Sequence, residues 1–476
     1  MRKYLANLIY VLSNILFTVA GFAWSTRILG PELIGKAQFV LTFAQYFVLI
    51  AALGIPIYGV VEVAKVVGDR EKLSKLFSEL VLINLITTGT MLLFYLVTIS
   101  VVGRFQEDYT LFLIGGGLVF ISFSTIEWFY TGSEQFRFLA IRSVVIKSAS
   151  LVALFLFVRT VDDLLIYLLI NVLTVVATNI WYLLNLRGQV TLWFRNLDLK
   201  RHLPALLLIF STTLTISVYT VVDVLLVGFL ADDEAVGLYT TAVKLNKMLI
   251  PIIFSLATVL IPGISRTIAD KDTISLMKLM DRSFAFICLL GIPVSAGLLV
   301  FAPEFLYVFT GPQYSGAIPA MQITASLSFI LGLGNLFGLQ LLIPGGFRKQ
   351  YLIATLFGVG ISLVLNIILI GPFRETGAAV AMMAAETAVT LVTWYYVRKN
   401  FTLSFNWMLA LKSIGTCLLF LPVAWILRSW DTTPLIRLIF AVGLCAGSYF
   451  IVQLFIFREK HINDLYKDFL CRFRSR

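Results

Sequence analysis

Long apolar runs separated by short polar segments recur along the whole chain. Each run holds about 20 residues or more, which is enough for a helix to cross the hydrocarbon core of a membrane. The pattern predicts an all-α polytopic membrane protein with about 14 transmembrane helices, numbered here as spans 1 to 14. The predicted spans are residues 5–29, 38–60, 76–102, 111–130, 139–158, 164–186, 203–230, 235–261, 284–305, 316–343, 351–370, 376–396, 408–427 and 435–457.

Composition excludes the main alternatives to a membrane protein. Hydrophobic residues make up 59% of the chain and charged residues 13%, against about 25% charged residues in a typical soluble protein. So few charges cannot cover a surface that faces water, and an aromatic content of 14% argues against disorder. Span 1 follows Arg2 and Lys3, as in a signal peptide, but it is too long for one, so we expect it to be retained.

Charge alternates from one connecting loop to the next. Lysine and arginine dominate the loops on one side of the predicted membrane, and acidic residues dominate those on the other. Because lysine and arginine in short loops mark the cytoplasmic side, both termini should be cytoplasmic, as an even number of spans also requires. The basic segment 458–476 is interpreted as a topology determinant; the alternative is an interfacial helix on the anionic inner leaflet.

The net charge of +11 does not indicate nucleic acid, because the basic residues lie in these short loops. His202 and His461 have no neighbouring metal ligands in the sequence, and the cysteines form no Cys-x-x-Cys pair. We therefore expect no nucleic-acid partner, no metal and no cofactor. The cysteines are Cys288, Cys417, Cys445 and Cys471.

The two halves of the chain resemble each other at an offset of about 200 residues. Residues 29–35 (LGPELIG) match residues 230–237 (LADDEAVG), Gly54-Ile55-Pro56 matches Ile261-Pro262, and Asp69 matches Asp270. Six spans separate the copies, so both have the same orientation, as in parallel-repeat transporters. The repeat predicts an N-lobe at 1–190, a C-lobe at 191–400, two extra spans at 401–457 and a basic cytoplasmic tail at 458–476. The alternative is chance similarity between apolar helices.

Four stretches carry a resemblance to a known family. Residues 27–31 (RILGP) with Gly35, residues 54–65 (GIPIYGVVEVAK), residues 73–80 (LSKLFSEL), and Asp223 with residues 236–239 (VGLY) resemble the Wzx-type flippases. These flippases form the polysaccharide transporter branch of the multidrug/oligosaccharidyl-lipid/polysaccharide exporter superfamily. Val61 stands where the family often has arginine, so no cationic role carries over to that position.

The resemblance implies two six-helix lobes around a central cavity that opens alternately to either side. It implies translocation of an undecaprenyl-pyrophosphate-linked oligosaccharide from the inner to the outer leaflet of the bacterial cytoplasmic (inner) membrane, for surface polysaccharide assembly. The partners would be the lipid bilayer, this anionic lipid and other polysaccharide assembly proteins. Lipid II flippases of the same superfamily have a groove for the lipid tail near their last two helices, and spans 13 and 14 here would act similarly by analogy.

Several cationic side chains fall inside predicted spans, where each charge costs about 2.5–3.5 kcal/mol even on the gentler insertion scales. Lys244 and Lys247 share one side of span 8, and Lys147 shares a polar stripe of span 5 with two serines. We predict that these residues bind the substrate; the alternatives are a structural ion pair or snorkelling to the interface. The predicted substrate-binding residues are Lys244, Lys247, Lys147, Arg142, Arg27, Tyr219 and Tyr239. The alternative for Arg142 is an anchor near the cytoplasmic interface, and the alternative for Arg27 is a contact with a lipid headgroup. The two tyrosines are predicted as exposed rings that stack on sugars or, alternatively, as ordinary helix packing.

Four carboxylates near or inside the spans are predicted counter-ions or coupling groups: Asp223, Glu386, Glu127 and Glu62. Buried carboxylates carry protons or bind cations in many transporters, so coupling to H⁺ or Na⁺ is open. We expect Asp223 to pair with a lysine of span 8. Glu386 has no basic partner nearby in the sequence and is the better coupling candidate.

Prolines and glycines inside the spans predict bends, because proline removes a backbone hydrogen bond. The predicted hinges are Gly54, Pro56, Pro251, Gly291 and Pro293.

Two other functions are alternatives to the flippase. A cation-coupled multidrug antiporter of the same superfamily often has an acidic residue in span 1, but this span contains Asn14 and Thr18 and no acid. A membrane-embedded polysaccharide enzyme needs a catalytic constellation, often on a long loop, and the sequence contains none. We expect a transporter and not an enzyme.

Overall fold

The structure is a computed structural model. It describes the backbone of residues 2–193 and 196–457, and the side chains of that part apart from residues 2–16, 212, 215–221, 252 and 258. Its α-helices are α1 Arg2–Ala52, α2 Ile55–Val66, α3 Arg70–Val101, α4 Gly103–Gln106, α5 Tyr109–Ile121, α6 Glu127–Gly132, α7 Phe136–Phe157, α8 Leu164–Leu186, α9 Leu203–Leu230, α10 Asp233–Lys247, α11 Ile250–Ala269, α12 Thr273–Phe286, α13 Ile292–Val300, α14 Ala302–Thr310, α15 Ile318–Ile323, α16 Leu327–Asn335, α17 Arg348–Asn400, α18 Trp407–Cys417, α19 Phe420–Arg428 and α20 Pro434–Ile451. The basic tail at 458–476 lies outside the described residues.

The predicted all-α polytopic fold is confirmed. Among the described residues, 10 helical segments are long and apolar enough to cross a membrane. Two of these, Phe17–Val66 and Arg348–Asn400, each hold two predicted spans, divided by a non-helical residue beside a proline: Gly30 before Pro31, and Arg374 after Pro372. Spans 7 and 8 correspond to α9 and to α10 with α11, so every predicted span has a helical counterpart.

Span 9 begins earlier than hydropathy alone predicts. The side chain of Asp272 caps α12 by accepting the backbone N–H of Ser275 at 3.0 Å, so residues 273–283, which mix polar and apolar side chains, extend the helix before the apolar span. Asp69 caps α3 in the same way, from the N–H of Lys72 at 3.2 Å. Hydrogen bonds from the side chains and backbone N–H groups of Lys72 and Ser275 lower the pKa of Asp69 and Asp272, respectively. The match of Asp69 with Asp270 in the repeat stays a prediction; the residue that caps α12 as Asp69 caps α3 is Asp272.

The chain forms two compact units, Met1–Gly237 and Leu238–Arg476. The first has an aromatic core in which Tyr130 stacks on Phe138 and Tyr182. The core of the second joins α12 and the following helix to spans 13 and 14, through residues such as Phe284 and Tyr449. The lobe boundaries at 190 and 400 stay a prediction.

The predicted hinge residues lie at three helix breaks. Leu53 and Gly54 have positive φ values of 45° and 79°, and Pro56 opens α2 after them. Pro251 opens α11 after the break that follows Lys247. The third position is a π-helical turn at Ile287–Gly291, which ends at Gly291 and is followed by Pro293 in α13. Bending at these positions during transport stays a prediction.

Candidate functional site

The first unit carries a polar cluster on its spans. The Arg142 guanidinium is buried in α7, 3.6 Å from the Glu127 carboxylate and 4.9 Å from the ring centre of Tyr182. The Tyr182 hydroxyl donates to the same Glu127 oxygen at 2.7 Å. Lys147, on the same helix, donates to the Thr18 hydroxyl at 3.2 Å and interacts electrostatically with Arg142 and Glu127. The structure thus joins three predicted site residues in one cluster with two cations and one carboxylate.

Two other predicted residues of the first unit lie elsewhere. Arg27 is exposed on α1. Glu62 forms an ion pair with Lys65 at 2.7 Å, a local pair one turn apart on a helix surface. Glu62 therefore has a nearby basic partner, and its coupling role stays a prediction.

Lys244 and Lys247 lie in the last turn of α10. The same helix is fixed by Asn246, whose buried side chain donates to the Met321 carbonyl at 3.0 Å and to the Thr324 hydroxyl at 2.7 Å. Because the face of α10 that carries Asn246 is buried, the Lys244 side chain on another face is exposed, and that of Lys247 is half-buried. Lys244 is about 16 Å along the helix axis from Asp233, roughly half the thickness of a hydrocarbon core. The side chain is thus exposed at a depth where lipid contact is costly.

The predicted acidic residues in spans 7 and 12 are buried. Asp223 is 2% exposed and Glu386 is 6% exposed. Asp223 interacts electrostatically with Tyr46, and Glu386 with Tyr351. The predicted pairing of Asp223 with a lysine of span 8 stays a prediction.

The two predicted sugar-stacking tyrosines differ in outcome. The expectation that Tyr239 is exposed is wrong: its side chain is 2% exposed, and its hydroxyl donates to the Met382 sulfur at 3.5 Å. Tyr239 packs between helices because it lies on a buried side of α10, together with Val236 and Val243. The side chain of Tyr219 lies outside the described residues.

A long apolar groove runs through the second unit, with a volume of about 1050 Å³. One wall is a single helical face that continues from α12 through α13 to α14, and the other comes from span 14. Representative lining residues are Leu289, Pro293, Gly297, Phe301, Ala441 and Tyr449. Small-molecule sites typically have about 300–1,000 Å³, so this groove has room for a long apolar ligand. The resemblance implied a lipid-tail groove near the last two spans, but the residue pattern did not locate its lining, because groove-lining and lipid-facing side chains are equally apolar.

A second missed feature is the attachment of the linker between spans 6 and 7 to α3. Ser74 accepts the backbone N–H of Thr191 at 3.1 Å, and Ser78 accepts that of Trp193 at 2.8 Å. Glu79 accepts the N–H of Asp198 at 2.8 Å. The linker has no helical partners for these donors, so the side chains of α3 supply them. The family-like stretch at residues 73–80 therefore holds the linker, and we call these contacts the linker clamp.

His202 completes the linker clamp. Its Nε2 lies 3.0 Å from the fully buried Glu79 carboxylate, and its Nδ1 lies 2.8 Å from the Tyr58 hydroxyl of α2. Arg201 forms an ion pair with the same carboxylate. The partners of His202 are more than 100 positions away in the sequence, so the available signal was an acidic residue, Glu79, in the apolar part of α3.

Two glycines matched by the repeat meet at the start of α10. A Cβ on Gly35 would clash with the Asp233 carbonyl oxygen and lie 2.6 Å from the Gly237 nitrogen, and a Cβ on Gly237 would clash with the Pro31 carbonyl oxygen. The two backbones thus touch without intervening side chains, which only glycine permits. We call this contact the glycine crossing.

Ion pairs surround the glycine crossing. Arg104 of α4 pairs with Asp233 at 2.7 Å, and Lys36 pairs with Asp108 at 3.0 Å. These pairs link the loop between spans 3 and 4 to both sides of the crossing, so the crossing is held from outside as well as by backbone contact.

Comparisons with known proteins identify the family. The sequence profile of the family described as "Polysaccharide biosynthesis protein" matches residues 2–268, and a second profile, MatE, matches residues 209–370. The chain is 24% identical to a "Putative O-antigen transporter" of Escherichia coli (strain K12), over 83% of this chain and 96% of that protein. It is 26% identical to a "Probable low-salt glycan biosynthesis flippase Agl15" of Haloferax volcanii, over 42% of this chain and 41% of that protein.

The fold has a solved counterpart. The structure of a "Lipid II flippase MurJ, inward closed conformation" superposes with a TM-score of 0.72 and 15% identity, covering 95% of this chain and 99% of that one. The first profile covers more than half of the chain. This multi-pass membrane protein therefore belongs to the polysaccharide biosynthesis protein family, as a Wzx-type member of the multidrug/oligosaccharidyl-lipid/polysaccharide exporter superfamily.

Proposed function

We propose that this protein is a flippase that moves an undecaprenyl-pyrophosphate-linked oligosaccharide from the inner to the outer leaflet of a bacterial cytoplasmic membrane. It acts by alternating access, with both termini in the cytoplasm, and supplies surface polysaccharide assembly without a catalytic step. The relatives support this proposal through their names, an O-antigen transporter and a glycan biosynthesis flippase.

The observation that carries the proposal is Lys244, exposed within a membrane-spanning helix whose other faces are packed. A cation at this depth is retained only where it has a use, because lipid exposure costs several kcal/mol. An anionic pyrophosphate that enters the membrane interior needs such a partner. Lys244 and Lys247 are the residues we assign to it, and the Arg142–Lys147 cluster offers a second cationic group in the other unit.

We expect Lys244→Ala and Lys247→Ala each to reduce glycan export. Loss of one charged hydrogen bond costs about 2 kcal/mol, or about a thirty-fold loss of substrate affinity. Lys→Arg should be tolerated better, because the charge is retained although the geometry changes. Surface glycan in cells, normalised to the amount of inserted protein, measures the effect.

Lys349→Ala is the matched control, since Lys349 is exposed at the start of α17. It removes the same charge and should leave export unchanged. Normal export by the Lys244→Ala/Lys247→Ala double variant at normal abundance would refute the assigned site.

The apolar groove suits the polyprenyl chain of the same substrate. Spans 9 and 14 line it, and a polyprenyl chain needs an apolar path while its headgroup crosses. We assign the groove to the lipid tail, in line with the expectation for the last two spans.

Gly297→Phe tests the tail assignment, because Gly297 lines the groove and a Cβ there meets no atom within 4 Å. The ring should displace roughly ten carbon contacts of the tail at about 0.15 kcal/mol each, or about a tenfold loss of affinity. Gly443→Phe is the control: its Cβ also meets nothing within 4 Å, but it lies outside the groove lining. Equal export by the two variants at equal abundance would exclude the groove as the tail site.

Glu386 is our candidate for coupling to H⁺ or Na⁺. Its burial within a span makes a permanent charge costly without a bound cation or proton. Export by Glu386→Gln should lose its dependence on the ion gradient, which an assay in vesicles with imposed pH or Na⁺ gradients measures directly.

A further inference from the structure

One end of the apolar groove is charged. Lys278, Asp281 and Arg282 line it together with the apolar residues that follow on the same helical face. Lys278 and Arg282 are one turn apart and both are exposed, so the two cations point the same way. Within the described part of the chain, no carboxylate lies at ion-pair distance from either cation; Lys278 interacts electrostatically with Asp272, which does not line the groove.

The length of the groove places this charged end at a membrane surface. From Arg282 to Phe301, the lining helix rises about 28 Å at 1.5 Å per residue, close to the hydrocarbon thickness of about 30 Å. When the apolar stretch spans the hydrocarbon, Lys278 and Arg282 lie at the depth of the lipid headgroups.

The opposite end of the groove is different. There, Arg428 donates to both carboxylate oxygens of Glu304, at 2.7 and 3.2 Å, and to the Val300 carbonyl at 2.8 Å. Its charge is already matched by a protein carboxylate. Among the residues that line the first end, two cations accompany the single carboxylate of Asp281, so this end favours an added anion more than the Arg428 end does.

We infer that Lys278 and Arg282 form a docking site for the diphosphate of a polyprenyl diphosphate whose chain lies in the groove. The inference rests on the proposed function and adds a step to it: the lipid is captured at the membrane surface before its headgroup reaches Lys244 and Lys247. Asp281 limits the affinity of this docking site, because its negative charge lies beside the incoming phosphates. A captured lipid is thereby able to leave for the next site.

Lipid binding to the full-length protein tests the inference, with native mass spectrometry as the readout. The probes are undecaprenyl diphosphate, undecaprenol, which has the same chain without charge, and phosphatidylglycerol, an anionic lipid without a polyprenyl chain. The variants are Lys278→Ala/Arg282→Ala, Asp281→Asn and the control Arg348→Ala/Lys349→Ala, which removes two exposed basic residues of the same unit.

We expect the Lys278→Ala/Arg282→Ala variant to bind undecaprenyl diphosphate about thirty-fold more weakly, from about 1 kcal/mol per basic residue near a surface. Its affinity for undecaprenol should be unchanged, which also shows that the groove is intact. Asp281→Asn should bind the diphosphate more tightly, and the control variant should match the wild type.

Two results would overturn the inference: unchanged diphosphate binding by the Lys278→Ala/Arg282→Ala variant, or displacement of the diphosphate by an equal amount of phosphatidylglycerol. The second would mark a general site for anionic lipids. If the wild type binds neither polyprenyl lipid, the proposed function itself fails, so the two failures are distinguishable.

Discussion

Replacing Gly35 or Gly237 by alanine should abolish glycan export. Each new methyl group would clash with the backbone on the other side of the glycine crossing. The methyl group of Gly35→Ala would meet the carbonyl of Asp233, and that of Gly237→Ala would meet the carbonyl of Pro31. Overpacking in a well-packed site costs about 1–3 kcal/mol, and backbone atoms cannot rotate away as a side chain does. The two backbones of the crossing therefore have to move apart. A transporter that works by alternating access then loses the state in which the crossing is closed.

Export assays and thiol labelling measure this together. With Glu234→Cys as a reporter in a background that lacks the native cysteines, Gly35→Ala should increase labelling by a membrane-impermeant maleimide. Gly89→Ala is the matched control, because a Cβ there meets no atom within 4 Å, and it should preserve both export and labelling. Full export by Gly35→Ala at normal abundance would show that the crossing need not close.

The all-α fold was predictable because the lipid around a membrane-spanning segment requires apolar side chains there, whatever the details of helix packing. Apolar runs in a bilayer have to form helices, since their backbone groups find no other partners there. Breaks inside long helices were harder to place: Pro31 and Pro372 marked two of them, whereas the start of span 9 depended on a capping residue, Asp272. A hydropathy window cannot detect a cap.

The repeat identified Gly35 and Gly237 as equivalent residues but not as neighbours. Equivalence follows from aligned sequence patterns, while contact depends on how two copies pack. The structure brings the two residues together, and this contact explains why both are glycines: each allows the backbone of the other helix to approach.

The candidate site was predictable only where a charge stood out against an apolar background. Lys244 and Lys147 were found that way. The prediction that Tyr239 is exposed was wrong because a tyrosine in a span either stacks on a ligand or packs between helices, and its exposure depends on the neighbouring helix. The lining of the groove and its charged end escaped prediction because spans 9 and 14 are distant in sequence, and because Lys278 and Arg282 belong to a helical segment with the composition of a loop.

Glu79→Ala should cause the largest loss of stability among single substitutions in the first unit. The carboxylate is fully buried and accepts hydrogen bonds from the Asp198 backbone and Arg201, with His202 at 3.0 Å. Removing one partner of a buried charge network typically costs about 3–5 kcal/mol, since the remaining groups stay desolvated without a partner. The linker then loses its attachment to α3, and export falls because less folded protein is present. Glu79→Gln should fall between the wild type and alanine, as it keeps an acceptor for the Asp198 N–H.

Thermal unfolding in detergent, followed by size-exclusion chromatography, measures this loss of stability. Glu71→Ala is the control on the same helix, because Glu71 is exposed in its first turn and belongs to no clamp contact. The control should unfold within a few degrees of the wild type, while Glu79→Ala should unfold far earlier and His202→Ala at an intermediate temperature. Limited proteolysis should then cut the segment 187–202 in Glu79→Ala first, since the Asp198 N–H no longer has its acceptor on α3. A Glu79→Ala protein with wild-type unfolding and an uncut linker would mean that Ser74 and Ser78 hold the linker by themselves.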